Sequence, residues 1–396
     1  MPEQAKPCFA DATHCIHAGE ERHGTNESLV TDIAQTSVFV MPSLEELRRY
    51  AEGKSKAYMY SRYANPTTTV AEQKIAALEH AESCVVTSSG MAAELAMFMA
   101  LCESGDEIIS MLDIYGGTTK LFQTVLPRFG IRIRLVSFQD LNKIESYFSE
   151  RTRLLFLETP TNPTLRCADI AHLSGLAHRR GITVAVDSTF GTPILQKPLE
   201  LGADITLHSA TKYLAGHNDL TAGAVAGSSK WLDTIREMVK YTGGCLDPFG
   251  SFLLIRGLKT LQIRVDRACS NARAIAEALR HHPKVERVFY PGFDEDPGHE
   301  IARRQMNDFG MMVSFDAKGG GPAAERFIDS LKLWYLATSL GGVESTVSYP
   351  LLSSHVGLTD KQLELLGVSA ATVRLSVGIE EAADLVTDLE QALGSA

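Results

Sequence analysis

The stretch LHSATKYLAGHND places Ser209, Thr211 and Lys212 directly after a short apolar run. An isolated lysine is usually a solvated surface charge, because an unpaired ammonium is costly to bury. At the end of a central strand the same amine is desolvated, which lowers its pKa and frees it to attack an aldehyde. The flanking hydroxyls of Ser209 and Thr211 suit a phosphate on the same small molecule. Asp187 ends a second apolar run, ITVAVD. A buried carboxylate there needs a cationic partner, unless it only caps the following segment. A third element, CVVTSSGMAAEL, reads as a strand, a Ser-Ser-Gly turn and a helix. The first N–H groups of such a helix bind an anion, and Gly90 permits close approach. An amine for an aldehyde, an acid for a ring nitrogen and a phosphate cradle together describe a pocket for pyridoxal phosphate, whose protonated ring is an electron sink. Tyr115, after EIISMLDI, is placed to stack on a flat ring or simply to pack, and Glu158 and Asn162 lie in the turn ETPTNP.

These positions need strands to hold them. CVVT, EIISML, IRIRLV, RLLFLE, ITVAVD and DITLH are β-rich runs, several apolar throughout, separated by helical stretches such as AEQKIAALEHA and MAAELAMFMALC. Strands buried on both faces and alternating with helices predict an α/β fold with a doubly wound, mostly parallel sheet. In that architecture ligands bind beyond the carboxyl ends of the strands, where the candidate residues fall. Residues 1–60 show little periodicity and read as an extended arm with a short helix, packed on another subunit. Residues 61–255 form the large cofactor-binding domain. From 256 to 396, VERVFY, MMVSFD and TVRLSV alternate with helical runs as a smaller α+β domain, with Gly319, Gly320 and Gly321 at a turn.

Composition excludes several function classes. With 48 acidic and 38 basic residues the net charge is -10, which disfavours nucleic acid or an anionic membrane as the main partner. No run of about 18 apolar residues and no signal-type start is present, so a cytoplasmic protein is expected. The seven cysteines are scattered, as reduced thiols would be. His14 and His17 in HCIH lack a third ligand at useful spacing, so no metal is expected, and neither GxGxxG nor GxxxxGK occurs.

The chain resembles the pyridoxal phosphate enzymes of transsulfuration, a family that includes cystathionine γ-synthases, cystathionine γ-lyases, cystathionine β-lyases and methionine γ-lyases. The resemblance covers nearly the whole chain. It rests on YSRYANPT (60–67), SSGMAA (88–93), the turn at Tyr115, ETPTNP (158–163), AVDSTF (185–190), HSATKYLAGHND (208–219), SLGGVES (339–345) and VRLSVGIE (373–380). It implies an aspartate-aminotransferase-like fold in which Lys212 holds the cofactor covalently and Asp187 pairs with its ring nitrogen. Gly90 and Met91 amides with Ser209 and Thr211 hydroxyls would hold the phosphate, and Tyr115 would stack on the ring and act as acid or base. Asn162, Ser339 and Arg374 would fix the α-carboxylate of a small amino-acid substrate. Tyr60 and Arg62 would reach the phosphate of a neighbouring subunit, implying a homodimer usually paired into a tetramer.

The resemblance also bears on the reaction. SRYANPTT, TPTNPTLRCADI and TKYLAGHNDL are most similar to the plant-type branch of γ-synthases, which join an activated homoserine to cysteine. γ-Lyase activity is the alternative. Thr338 stands where many γ-synthases and γ-lyases carry Glu, so contacts to a distal amine differ. Gly116 stands where methionine γ-lyases usually have a cysteine, which counts against that activity. A non-catalytic member would be expected to lose the lysine, whereas Lys212, Asp187, Tyr115 and Arg374 are all present.

Overall fold

Runs rich in Val, Ile and Leu that are buried from both faces build the central layer of the molecule. In a computed structural model, which describes residues 9–20 and 28–395, seven strands form one sheet. They are β1 (Ser83–Thr87), β2 (Glu107–Met111), β3 (Arg132–Val136), β4 (Thr152–Glu158), β5 (Thr183–Asp187), β6 (Ile205–His208) and β7 (Gly223–Gly227), in the order β1-β7-β6-β5-β4-β2-β3. The pairs from β6 through β3 are parallel, and β7 runs antiparallel to both of its neighbours. β7 is Gly-Ala-Val-Ala-Gly and has little strand preference of its own. β2 and β6 are buried at every residue, which explains their lack of polar alternation.

Helices cover both faces. On one side Gly90–Leu101 packs against Ser229–Thr242, and on the other Pro66–Leu78 packs against Pro248–Leu258. Ala71, Ile75 and Leu78, the apolar stripe of AEQKIAALEHA, are all buried. The five-stranded second sheet comprises β8 (Val285–Phe289), β9 (Met312–Ala317), β10 (Tyr335–Leu336), β11 (Thr346–Ser348) and β12 (Thr372–Ser376). Its order is β10-β11-β12-β9-β8, antiparallel except for β10 with β11. The helix Leu261–Arg280 links the two units, burying Leu261 and Val265 in the core beside the large sheet and Ala272 and Ile275 in the core of the small one. The α/β class with a mostly parallel sheet and a smaller second sheet follows the sequence reading.

The N-terminal segment differs from the expected extended arm in one respect. Asp11–His17 is helical, with Cys15 buried, and carries both His14 and His17. Residues 28–43 form no helix or named strand and leave Leu29, Val30, Val38 and Val40 exposed, Val40 at 95%. Cys8 lies outside the described residues, and the six cysteines within them are free thiols. Among the described residues no helix is long and apolar enough to cross a membrane.

Candidate active site

The carboxyl ends of β4, β5 and β6, the turn before helix Gly90–Leu101 and the strand β12 converge on one cavity of about 410 Å³. Gly90, Met91, Tyr115, Asn162, Asp187, Ser209, Thr211, Lys212, Thr338, Ser339 and Arg374 all line it. Eleven positions scattered through the sequence therefore share one space, as the parallel-sheet rule requires.

The phosphate end is built by the helix Gly90–Leu101. Ser89 caps it, its hydroxyl accepting the Ala92 N–H at 3.1 Å. The N–H groups of Gly90 and Met91 precede the first intrahelical bonds, and such groups at a helix N-terminus suit an anion. A Cβ on Gly90 would stand 3.0 Å from that of Ser209, so the close approach of the two turns requires glycine. The Thr211 hydroxyl exchanges bonds with the backbone of Ala222, donating to its carbonyl at 3.1 Å and accepting from its N–H at 2.9 Å. This fixes the loop that presents Lys212.

Asp187 ends β5 at the cavity wall. Its Oδ1 accepts the Thr189 N–H at 2.8 Å, and among the described residues no lysine or arginine pairs with it. Burial pushes its carboxyl upward, opposed by the hydrogen bonds from Thr189. A buried acid without a protein cation, facing a cavity, matches the pyridinium nitrogen of pyridoxal phosphate.

Lys212 Nζ donates to Ser339 Oγ at 2.5 Å. Burial, with the positive charge of Arg374 second, pushes the amine down to about 8. A substantial neutral fraction near physiological pH is what attack on an aldehyde needs. Ser339 holds φ +78, a conformation that costs a non-glycine residue energy and that its surroundings must impose. Its carbonyl receives Arg374 Nη2 at 2.9 Å while its hydroxyl receives Lys212. Arg374 Nη1 donates to Asn162 Oδ1 at 2.8 Å, and Nε is buried without a partner. Burial lowers the guanidinium to about 10. A planar cation held from two sides with an N–H to spare is a receptor for a carboxylate.

Tyr115 stands 46% exposed at the cavity rim, with its backbone N–H bonded to Glu158 Oε2 at 2.7 Å. Burial, reinforced by Asp187, pushes Glu158 well above the ordinary carboxylate range. Gly116 follows, and a Cβ there would come within 2.4 Å of the Ser354 carbonyl, so no side chain fits while that segment keeps its place. Tyr60 and Arg62 do not line this cavity. The Arg62 guanidinium lies over the rings of Tyr60 and Tyr63, at 5.4 and 5.0 Å, and donates to the Lys240 carbonyl.

Two acidic wall residues had no role in the sequence reading: Glu94, which it did not single out, and Glu158, which it placed only in the turn ETPTNP. Glu94 had a signal: it is the only charged residue in the otherwise apolar helix GMAAELAMFMAL. A charge interrupting a helix that is apolar all round needs a polar reason.

The comparisons with known proteins agree with this geometry. A family described as Cys/Met metabolism PLP-dependent enzyme matches residues 12–394. L-methionine gamma-lyase from Fusobacterium nucleatum subsp. polymorphum is 44% identical over 386 residues, covering 96% of this chain and 97% of that protein. Cystathionine gamma-synthase 1, chloroplastic, from Arabidopsis thaliana is 42% identical, covering 97% of this chain and 69% of that protein. The crystal structure of cystathionine gamma-lyase from Lactobacillus plantarum complexed with L-serine superposes with a TM-score of 0.91 at 37% identity, covering 98% and 99% of the two chains. Relatives with three different names thus lie at similar distances.

Proposed function

Starting from the chain's membership of the Cys/Met metabolism PLP-dependent enzymes, we propose that it works at the γ-carbon of a small amino acid and joins an activated homoserine to cysteine, giving cystathionine. When bound, pyridoxal phosphate supplies the electron sink that makes the α-proton, and then a β-proton, acidic. Everything else falls to the chain. Lys212 holds the cofactor, then acts as the base whose lowered pKa suits both proton removals. The carboxylate of the substrate lies on Arg374, Asn162 and Ser339, the last two holding the guanidinium from either side. Asp187 pairs with the ring nitrogen, Gly90, Met91, Ser209 and Thr211 hold the phosphate, and Tyr115 covers the ring and moves a proton. Departure of the γ-substituent leaves Cγ open to the cysteine thiol; if no thiol adds, release gives 2-oxobutyrate and ammonia.

The observation that carries this reading is the desolvated amine of Lys212 beside the Arg374–Asn162 pair. Choice of γ-replacement rests on the γ-synthase-like wording of three motifs. The close Gly116–Ser354 contact disfavours a methionine γ-lyase arrangement with a side chain at position 116. Tyr60 and Arg62 complete a second copy's site, which makes the functional unit a homodimer, paired into a tetramer. In this reading residues 1–60 serve the neighbour, 61–255 bind the cofactor and 256–396 close the substrate side.

Incubation with cysteine and O-acyl- or O-phosphohomoserine tests the reaction. Cystathionine should accumulate, and omission of cysteine should leave slower formation of 2-oxobutyrate. Efficient cleavage of cystathionine to cysteine, with no synthesis from any activated homoserine, would establish the γ-lyase reading instead.

A further inference from the structure

One carboxyl on the cavity wall has no part in the roles above. Glu94 sits one turn into the helix Gly90–Leu101, lines the cofactor cavity and is 2% exposed. Its Oε1 accepts the Thr118 hydroxyl at 2.7 Å, and its Oε2 is buried with no partner. Among the described residues no lysine, arginine or histidine pairs with either oxygen. The surrounding elements explain why. Helix Ser229–Thr242 presents Leu232, Ile235 and Val239, and β7 carries no ionisable group. β6 ends in His208, whose Nε2 is already bound to Glu79 at 2.6 Å, and the thiol of β1, Cys84, packs with Ala71 and Ile75 in the core on the other face of the sheet. Helix Gly116–Thr124 presents the Thr118 hydroxyl, and the strand ends present two more acids, Asp187 and Glu158. Lys212 and Arg374 line the same cavity but are held by Ser339 and by Asn162.

We propose that Glu94 is kept as an uncharged acid in the wall of the cofactor cavity and weakens cofactor retention when it ionises. With Oε1 occupied by the Thr118 hydroxyl, the proton resides on Oε2, the oxygen without a partner. The opposite state is unfavourable. A carboxylate at this place would face Asp187 and Glu158 and a cofactor that carries a phosphate. Burial, with Asp187 second, pushes Glu94 up to about 8, while the Thr118 hydrogen bond pulls it down. An anionic cofactor favours the proton further, so by linkage its affinity is unaffected below about pH 8 and falls as pH rises through that range. Lys212 works the other way, since its neutral amine becomes more abundant with pH. Only a comparison at matched pH isolates Glu94.

The dissociation constant of pyridoxal phosphate is measured by equilibrium dialysis of the apoenzyme between pH 7 and pH 9.5, for wild type, Glu94→Gln and Thr118→Val. Glu94→Gln should bind within about twofold of wild type at pH 7 and about tenfold more tightly at pH 9.5, one pH unit of linkage corresponding to a factor of ten. A ratio that stays constant across the range assigns Glu94 a packing role and overturns the proposal. Thr118→Val removes the donor that favours the ionised form, so its loss of affinity should move to higher pH. That variant decides the matter even if Glu94→Gln does not fold: no shift, or a shift downward, refutes the proposal.

Discussion

Burial pushes two amines of this molecule below their ordinary range, those of Lys74 and Lys212, and their surroundings differ completely. Lys74, fully buried, donates to the carbonyls of Cys15 and Ile16 at 3.1 Å each and pairs with Glu20 at 3.1 Å. Two carbonyls and a carboxylate thus surround its ammonium. Lys212 has one hydroxyl beside it, no carboxylate, and Arg374 as its main charged neighbour. Desolvation alone does not make an amine reactive. What separates the structural lysine from the chemical one is whether the fold supplies acceptors for the ammonium or withholds them.

Replacing Lys212 by Ala attacks the chemical side and carries the largest expected effect. Activity should fall by about a thousandfold or more, with loss of the visible absorbance of the attached cofactor. Borohydride reduction of the wild type followed by peptide mapping should put the label on Lys212. A label on Lys74, Lys197 or Lys259 would erase the distinction; Lys197 bonds the carbonyls of Leu78 and Pro193, and Lys259 pairs with Glu20 at 2.8 Å.

Lys74→Met attacks the structural side. Two carbonyls lose their donor and Glu20 loses one of its cations, so the folded state should lose about 3 kcal/mol, read from the urea midpoint. Absorbance per folded chain should stay at the wild-type value. A bleached cofactor in a stably folded Lys74→Met would show that the two lysines are coupled.

Lys74 also roots the N-terminal segment, because the carbonyls it binds belong to the helix Asp11–His17. Beyond that root the chain exposes Leu29, Val30 and Val40 and carries Tyr60 and Arg62 outside its own cavity. Arg62→Ala and Lys212→Ala should each be inactive, yet a mixture that has exchanged subunits should recover about a quarter of wild-type activity, since half of the dimers are mixed and each holds one intact site. Verified exchange without recovery would place each site within a single chain.

How much of this was legible in the sequence follows from the same physics. Asp187 and Lys212 stood out because each follows a run apolar on both faces, and a polar group at such a boundary must face a ligand or a partner. The Ser-Ser-Gly turn was legible because helix termini leave donors free. β7 was not, because Gly-Ala-Val-Ala-Gly takes its strand form from β1 and β6 on either side. The helix Asp11–His17 was not, because seven residues rarely form a stable helix alone and this one is held by a lysine 59 residues further along. Glu94 was visible as an anomaly in an apolar helix, but its place on the cavity wall is a fact of packing.

The smallest expected effect tests the comparison at its most exposed point, the single hydrogen bond that Lys212 makes. Ser339 Oγ accepts from Lys212 Nζ at 2.5 Å and so favours the ammonium over the amine. In the wild-type apoenzyme the rate of covalent attachment of pyridoxal phosphate should rise with pH, with its midpoint near 8, where half of the amine is neutral. Ser339→Ala removes the acceptor and leaves burial and Arg374 in place, both of which lower the pKa. The midpoint of the attachment rate should therefore move to lower pH, by less than about one unit, the scale of one hydrogen bond to a charged group. Substrate is absent from this measurement, so the proposed contact of Ser339 with a carboxylate does not enter it. An upward shift would mean that Ser339 donates to a neutral amine, and that Lys212 owes its reactivity to a partner as much as to the lack of one.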